Sequence, residues 1–433
     1  MESLSVWAMI KEAAVRHELR IPLQNLTRTI ASAVDLVSSA VALHHNQVAY
    51  MACVLARELG LSVEDVCTLG LAGSVHDVGA LSLKERLDLL NFETENPHEH
   101  AELGFLLLRV YEPLAEAARL IRFHHVPWNA GRGSEFKGEE VPLVSHVLHL
   151  ADRVVVLLDR EKEPVGQTRK IRSIIESQSG KMFVPQHVDA FLNLADKEYI
   201  WLDLAHKVCD PLEIPGVVEL DLGGLLDLAK LFSHIIDFRS RFTATHSTGT
   251  AIVSETLGRL AAFSEREWTM LKVAGYLHDL GKLIIPAEVL EKPGKLTESE
   301  FCIIRAHSYY TYQALTSIPQ FEEITAWAAY HHERLDGKGY PFHLRARELC
   351  LGARIVAVSD VFTAVTEERP YRKGMDTGQA LEILNKMARK SALDINIVEL
   401  LSRNIDEIDH RRSSAQEEAK AEYEALFSRA SSE

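Results

Sequence analysis

The chain has 433 residues, 47% of them hydrophobic, enough to bury cores for two to three domains and to exclude disorder over most of its length. Its 47 Lys and Arg stand against 62 Asp and Glu, and the net charge of −15 opposes nonspecific attraction to duplex nucleic acid or to anionic lipid. No run of about 18 apolar residues occurs, and the five cysteines are scattered without a Cys-x-x-Cys pair, so neither a disulfide framework nor a zinc knuckle is expected.

From the N-terminus, Glu2, Lys11, Glu12, Arg16 and Glu18 interrupt the apolar residues as they do not in a signal peptide, and the expectation is a soluble, cytoplasmic protein that neither spans a membrane nor binds duplex nucleic acid. Apolar residues then recur at spacings of three and four over Val48–Leu59, Val66–Val75, Leu103–Val110, Leu114–Phe123 and Val144–Leu158, which predicts helices. The breakers fall between them, at Gly60, Gly79, Asn96-Pro97, Pro127 to Gly133 and Pro142. Strand alternation is scarce, so the fold class is all-α. Pro211, Pro215, Gly216, Gly223 and Gly224 cluster over Cys209 to Gly224 and place a boundary there. The expected division is 1–215, 216–409 and a charged C-terminal segment 410–433, read as a solvated helix fraying at Ser431-Ser432.

Among the 20 histidines a register appears. His44, His76 and Asp77 recur 202 residues later as His246, His278 and Asp279; His100, His124 and His125 recur 207 later as His307, His331 and His332; Asp152 recurs 208 later as Asp360. The chain is therefore one helical bundle repeated. Imidazole and carboxylate together suit divalent transition metals, and an aspartate shared among several histidines suits two ions a few ångströms apart. A single buried histidine is more often a packing residue than a ligand. A set of this size held in register is not explained that way.

The string Leu277-His278-Asp279-Leu280-Gly281-Lys282, then Lys292-Pro293-Gly294-Lys295-Leu296-Thr297, His307, His331-His332-Glu333-Arg334-Leu335-Asp336-Gly337-Lys338-Gly339-Tyr340-Pro341, Arg354 to Asp360 and Arg369-Pro370-Tyr371-Arg372 resembles the HD-GYP family. The resemblance covers roughly Gly223 to Ile408. It implies two tandem HD-superfamily helical bundles, with a metal-dependent phosphodiesterase in the second that opens cyclic di-GMP or 3′,3′-cyclic GMP-AMP to a linear 5′-phosphorylated dinucleotide through hydroxide activated by two divalent ions, iron or manganese. Carried over, His246, His278, Asp279 and Asp360 hold one ion, and Asp279, His307, His331 and His332 the other, with Asp279 bridging. Asp279 and Lys282 are the implied catalytic residues. Lys282, Asp336, Lys338, Tyr340, Arg369 and Arg372 are the implied substrate contacts. A glutamate that in some members serves a third ion is here Phe242.

The first half keeps His44, His76, Asp77, His100, His124, His125 and Asp152 as a possible second metal site, with His45 as an alternative to His44. Its substrate groups are gone: Ala80 stands at the lysine position, and Asn129 to Ser134 replaces the Asp-Gly-x-Gly-Tyr-Pro stretch. It is expected to be a degenerate repeat, either a regulatory domain or an accessory phosphohydrolase. Two other classes stay open: a non-catalytic module that binds cyclic dinucleotides and signals, and a nucleotide phosphohydrolase with a 5′-nucleotidase activity in the first half. The oligomeric state is not legible.

Overall fold

The computed structural model describes residues 19–35, 43–80, 88–92, 97–205, 218–238, 245–290, 292, 294–368 and 373–430. The first half runs through α1 (Leu23–Asp35), α2 (His44–Glu58), α3 (Val63–Val75), α4 (Pro97–Leu108), α5 (Ala115–Arg122), α6 (Ser145–Val156), α7 (Thr168–Ser177), α8 (Pro185–Ala195) and α9 (Glu198–Ala205). The second repeats this order in α10 (Leu222–Phe238), α11 (His246–Leu260), α12 (Glu265–Leu277), α13 (Glu298–Thr316), α14 (Glu322–Ala329), α15 (Leu351–Thr366), α16 (Thr377–Arg389), α17 (Ile395–Arg403) and α18 (Ile405–Ala430). Extended backbone is confined to the two-residue segments β1 (Ile21–Pro22), β2 (Glu135–Phe136), β3 (Glu139–Glu140) and β4 (Glu219–Leu220) among the described residues. None of the described helices is long and apolar enough to cross a membrane.

Local chemistry sets the helix starts at repeated positions. Ser62 accepts from Asp65 N to begin α3, and 202 residues later Ser264 and Glu267 form a reciprocal capping box that begins α12. Each of these helices then crosses its predecessor at very short range. A Cβ on Gly73 would lie 2.6 Å from Ala49 Cα, and one on Gly275 would lie 2.5 Å from Ala251 Cα. Glycine at this crossing lets α12 approach α11 closely enough for His246 and His278, at the adjoining helix ends, to face each other.

The same device recurs one turn later. Gly281, in the 3₁₀ turn Leu280–Ile284, lies against α13 so closely that a Cβ would sit 2.0 Å from His307 O, while Gly281 N donates to Thr311 Oγ1 at 2.9 Å. Gly79 meets His100 O in the same way, at 2.1 Å. Gly281→Ala is expected to push the turn off α13, at a cost of about 1–3 kcal/mol. A lowered thermal midpoint checks this; an unchanged midpoint would mean that the turn yields freely.

The halves share one continuous buried apolar cluster. β1 pairs antiparallel with β4, Ile21 opposite Leu220, and α1 packs on the Leu280–Ile284 turn and on α13 of the other half. Thr29 Oγ1 lies 3.1 Å from Ser317 Oγ, and Tyr111 Oη donates to Gly224 O at 3.1 Å. The expected boundary falls largely on 206–217, outside the described residues.

One expectation is corrected. The C-terminal segment is a helix, but not one solvated all round: α18 begins at Ile405, and Ile408, Arg412, Gln416 and Ala419 form a buried stripe, while Ser431-Ser432, where fraying was expected, lie outside the described residues. That stripe packs on α11, and α18 also touches α4 of the first half. Long polar side chains carry the burial, so composition concealed it.

Candidate metal centre

Helix ends and helix interiors both deliver the candidate ligand groups of the second half. His246 opens α11, His278 and Asp279 follow α12, His307 lies within α13, His331 and His332 follow α14, and Asp360 sits within α15. All are buried except the half-buried His332. The set divides into two clusters around one carboxylate. Asp279 Oδ2 is 3.1 Å from His278 Nε2 and 3.9 Å from His246 Nε2, whereas Asp279 Oδ1 is 3.4 Å from His307 Nε2. Asp360 Oδ1 lies 3.1 Å from His246 Nε2, and its Oδ2 lies 3.8 Å from His332 Nδ1. His307, His331 and His332 converge as the second cluster.

The outer nitrogens explain why these rings point inward. Nδ1 of His278, His307 and His331 each meets the carbonyl three residues earlier, at Gly275, Ile304 and Ala328 (2.7, 2.6 and 2.6 Å). That fixes the tautomer with Nε2 unprotonated toward the centre. His278 Nε2 is buried with no hydrogen-bond partner, which is expensive unless a cation accepts its lone pair. Burial pushes His307 down to about 3 and His331 well below the usual histidine range, and so keeps both rings neutral. Burial alone would protonate Asp279, but His278 and Lys282 hold it well below the usual carboxylate range. Neutral imidazoles and ionised carboxylates are the donor set of a divalent transition metal, and the residues fit one.

Lys282, in the middle of the Leu280–Ile284 turn, places Nζ 2.5 Å from Asp279 Oδ2. Burial works against its charge, but Asp279 outweighs burial and raises the lysine above its ordinary value. Tyr340 lies beside the centre, its ring 4.9 Å from that of His332. Asp336 is used elsewhere: it accepts from Arg334 (3.1 and 2.8 Å) and from Lys338 N (3.0 Å), and so shapes its own loop. The Lys338 side chain is exposed. Arg369, Arg372 and Phe242 lie outside the described residues.

Three contributors carried no sequence signal. Arg305 lies over the Tyr340 ring at 4.6 Å and brings a further cation to the rim. Glu367 Oε2 stands 3.4 Å from His246 Nδ1, so a carboxylate reaches this histidine from the end of α15. Burial opposes the His246 imidazolium, yet Asp360 and Glu367 together raise it to about 10, so carboxylates flank this ring on both of its nitrogens. Gln416 of α18 donates to Thr245 O at 3.0 Å and lies 3.5 Å from Glu367 Oε1, binding the C-terminal helix to the start of α11. Gln416→Ala is expected to weaken metal retention by a few-fold, less than the roughly tenfold of a direct partner, because it acts through Glu367, which faces His246. Titration with manganese checks this, and unchanged affinity would reduce Gln416 to a packing residue.

In the first half the same split appears. Asp77 Oδ2 is 3.2 Å from His76 and 3.8 Å from His44, and Asp77 Oδ1 is 3.3 Å from His100 and 3.8 Å from His124. His125 Nε2 is 3.2 Å from His100 Nε2, and Asp152 Oδ1 is 3.3 Å from His44 Nε2. His45 turns away to Asp35.

The HD domain pattern matches residues 230–397 and, separately, 41–157. The chain is 30% identical over 406 residues to a 3′3′-cGAMP-specific phosphodiesterase of Vibrio cholerae, covering 90% of this chain and 94% of that protein. It is 39% identical over 170 residues to a cyclic di-GMP phosphodiesterase response regulator of Xanthomonas campestris, covering 39% and 44%. The crystal structure of a cyclic GMP-AMP specific phosphodiesterase of V. cholerae superposes with a TM-score of 0.63 at 24% identity, over 89% of this chain and 98% of that one, and shares the fold.

Proposed function

We propose that this chain, which belongs to the HD-domain family and within it to the HD-GYP branch, hydrolyses cyclic dinucleotides in its second half, with 3′,3′-cyclic GMP-AMP preferred, and releases a linear 5′-phosphorylated dinucleotide. One observation carries the reading: the two oxygens of Asp279 face two separate histidine clusters while Lys282 rests on the same carboxylate.

His246, His278 and Asp360 would hold one divalent cation, His307, His331 and His332 the other, and Asp279 would bridge them. Iron or manganese held there would lower the pKa of a water so that hydroxide is available to attack phosphorus near neutral pH, and would add positive charge for the phosphoryl oxygens. Asp279 fixes the line between the two clusters. Lys282 Nζ, kept protonated by that carboxylate, is placed to donate to a phosphoryl oxygen as negative charge develops. Tyr340 offers a ring and a hydroxyl to a base, with Arg305 behind it. Arg369 and Arg372 are proposed to fork onto the second phosphate, and Lys338 to meet the ligand at the rim. Asp336 is assigned to the loop rather than to the ligand.

The preference for the mixed cyclic dinucleotide rests on similarity to the cGAMP-specific relative, which runs through both halves. Similarity to the cyclic di-GMP enzyme covers 39% of this chain. Incubating the manganese-loaded chain separately with 3′,3′-cyclic GMP-AMP, cyclic di-GMP and GTP, with chromatographic separation of products, tests the class. Linear dinucleotide from the cyclic compounds supports the proposal. Tight binding without product would make the protein a receptor, and products from GTP alone would make it a mononucleotide hydrolase.

A further inference from the structure

α13 carries more than His307. Phe301, Arg305 and Tyr309 stand four residues apart and so line one face of that helix, with Phe301 48% and Tyr309 42% exposed. Arg305 lies over the Tyr340 ring at 4.6 Å and is 6.0 Å from the Phe301 ring. Through Tyr340, whose ring is 4.9 Å from that of His332, this stripe adjoins the metal centre. Unlike Lys282, held by Asp279, and Arg334, held by Asp336, Arg305 makes no ion pair or hydrogen bond among the described residues. A guanidinium with five N–H donors, charged at any working pH, is therefore held at the rim with its donors unspent on the protein.

Comparison of the halves ties this pair to the ligand rather than to the metal. At the offset of 207 that relates the histidines, Arg305 becomes His98, which rests on Phe136 with ring centroids 4.6 Å apart, and Phe301 becomes Thr94. Both change together with Lys282, which is Ala80 in the first half. The metal-facing side chains persist across the repeat and these three do not, as befits groups that serve the substrate of one half. Within that substrate, the phosphate under attack belongs at Asp279 and Lys282, whereas Arg305 joins the centre by way of the Tyr340 ring. A base fits that outer position. A guanidinium resting on an aromatic ring keeps its edge free, and the edge matches the O6 and N7 acceptors of guanine, where adenine would set an amino donor against it. The exposed Phe301 ring, one turn away, offers a face on which a base can stack.

We propose that Phe301 and Arg305 form a guanine subsite, in which Phe301 stacks on the base, the Arg305 fork binds O6 and N7, and rings without guanine are disfavoured. The inference rests on the reading of the second half as a cyclic dinucleotide phosphodiesterase, whose two proposed substrates share guanine.

The test measures kcat/KM of the manganese-loaded full-length chain for 3′,3′-cyclic GMP-AMP, cyclic di-GMP and cyclic di-AMP. Wild type should favour the two guanine rings over cyclic di-AMP by about tenfold or more. Arg305→Lys, which keeps the charge but not the fork, and Arg305→Gln should each lower the values for the guanine rings by roughly 10- to 100-fold, mainly through KM, and leave cyclic di-AMP within about twofold. Phe301→Ala should lower all three by about tenfold, since stacking is indifferent to the base. Wild-type values for Arg305→Lys, or a loss equal across the three rings, would make Arg305 a charge for phosphate and overturn the proposal, as would a Phe301→Ala chain that behaves as wild type. If wild type opens no ring, the phosphodiesterase reading fails by itself. Calorimetric titration of the three rings into wild type and Arg305→Lys then decides the subsite: loss of affinity confined to the guanine rings supports it, and equal affinities or no binding overturn it.

Discussion

Asp279→Ala should abolish ring opening, with turnover lowered by several powers of ten, because the one carboxylate that faces both histidine clusters is lost. Structure should survive: His278 stays anchored through Gly275 O, and Gly281 still packs on α13. Lys282 loses its partner but keeps access to solvent, being 18% exposed at its side chain. The matching change, Asp77→Ala, should leave ring opening within a few-fold of wild type, because the cations and aromatic ring proposed for the ligand belong to the second half. Turnover of 3′,3′-cyclic GMP-AMP by the two variants, alongside their metal content, checks this. Strong ring opening by Asp279→Ala protein would move the reaction out of the second half.

Lys282→Ala should lower turnover by roughly 10²-fold while the metal content stays at the wild-type value, as for one positive charge that matters most in the transition state. The charge balance gives the sign of the metal effect. Removing an ammonium from beside Asp279 makes the pocket more negative, so cations are held at least as tightly as before. Metal lost together with turnover would instead make Lys282 a support for Asp279. Unchanged turnover would make it a bystander.

That these histidines and aspartates converge was legible from the register they hold across the repeat, and the helices then bury most of them. Helix positions were legible from apolar spacing to within a few residues: Val66–Val75 was read where α3 spans Val63–Val75, and Val144–Leu158 where α6 spans Ser145–Val156. What periodicity does not give is which helix meets which. Glu367 and Gln416 reach the start of α11 from elements 122 and 171 residues away from Thr245, and no local pattern marks such contacts. The close crossings at Gly73 and Gly275 do have a mark in the sequence, since both glycines and both facing alanines repeat at 202. No local pattern marks Arg153 either, and its burial on Asp152 alone distinguishes it.

The second-half centre is proposed to open a cyclic dinucleotide and to prefer the mixed one. Its most direct test is a competition: manganese-loaded wild-type chain with equimolar 3′,3′-cyclic GMP-AMP and cyclic di-GMP, sampled early, with the linear products separated and counted. Linear GMP-AMP dinucleotide in clear excess, with no mononucleotide formed first, is the predicted result. Linear di-GMP in excess would contradict the assigned preference, and no linear product from either ring would contradict the reaction itself.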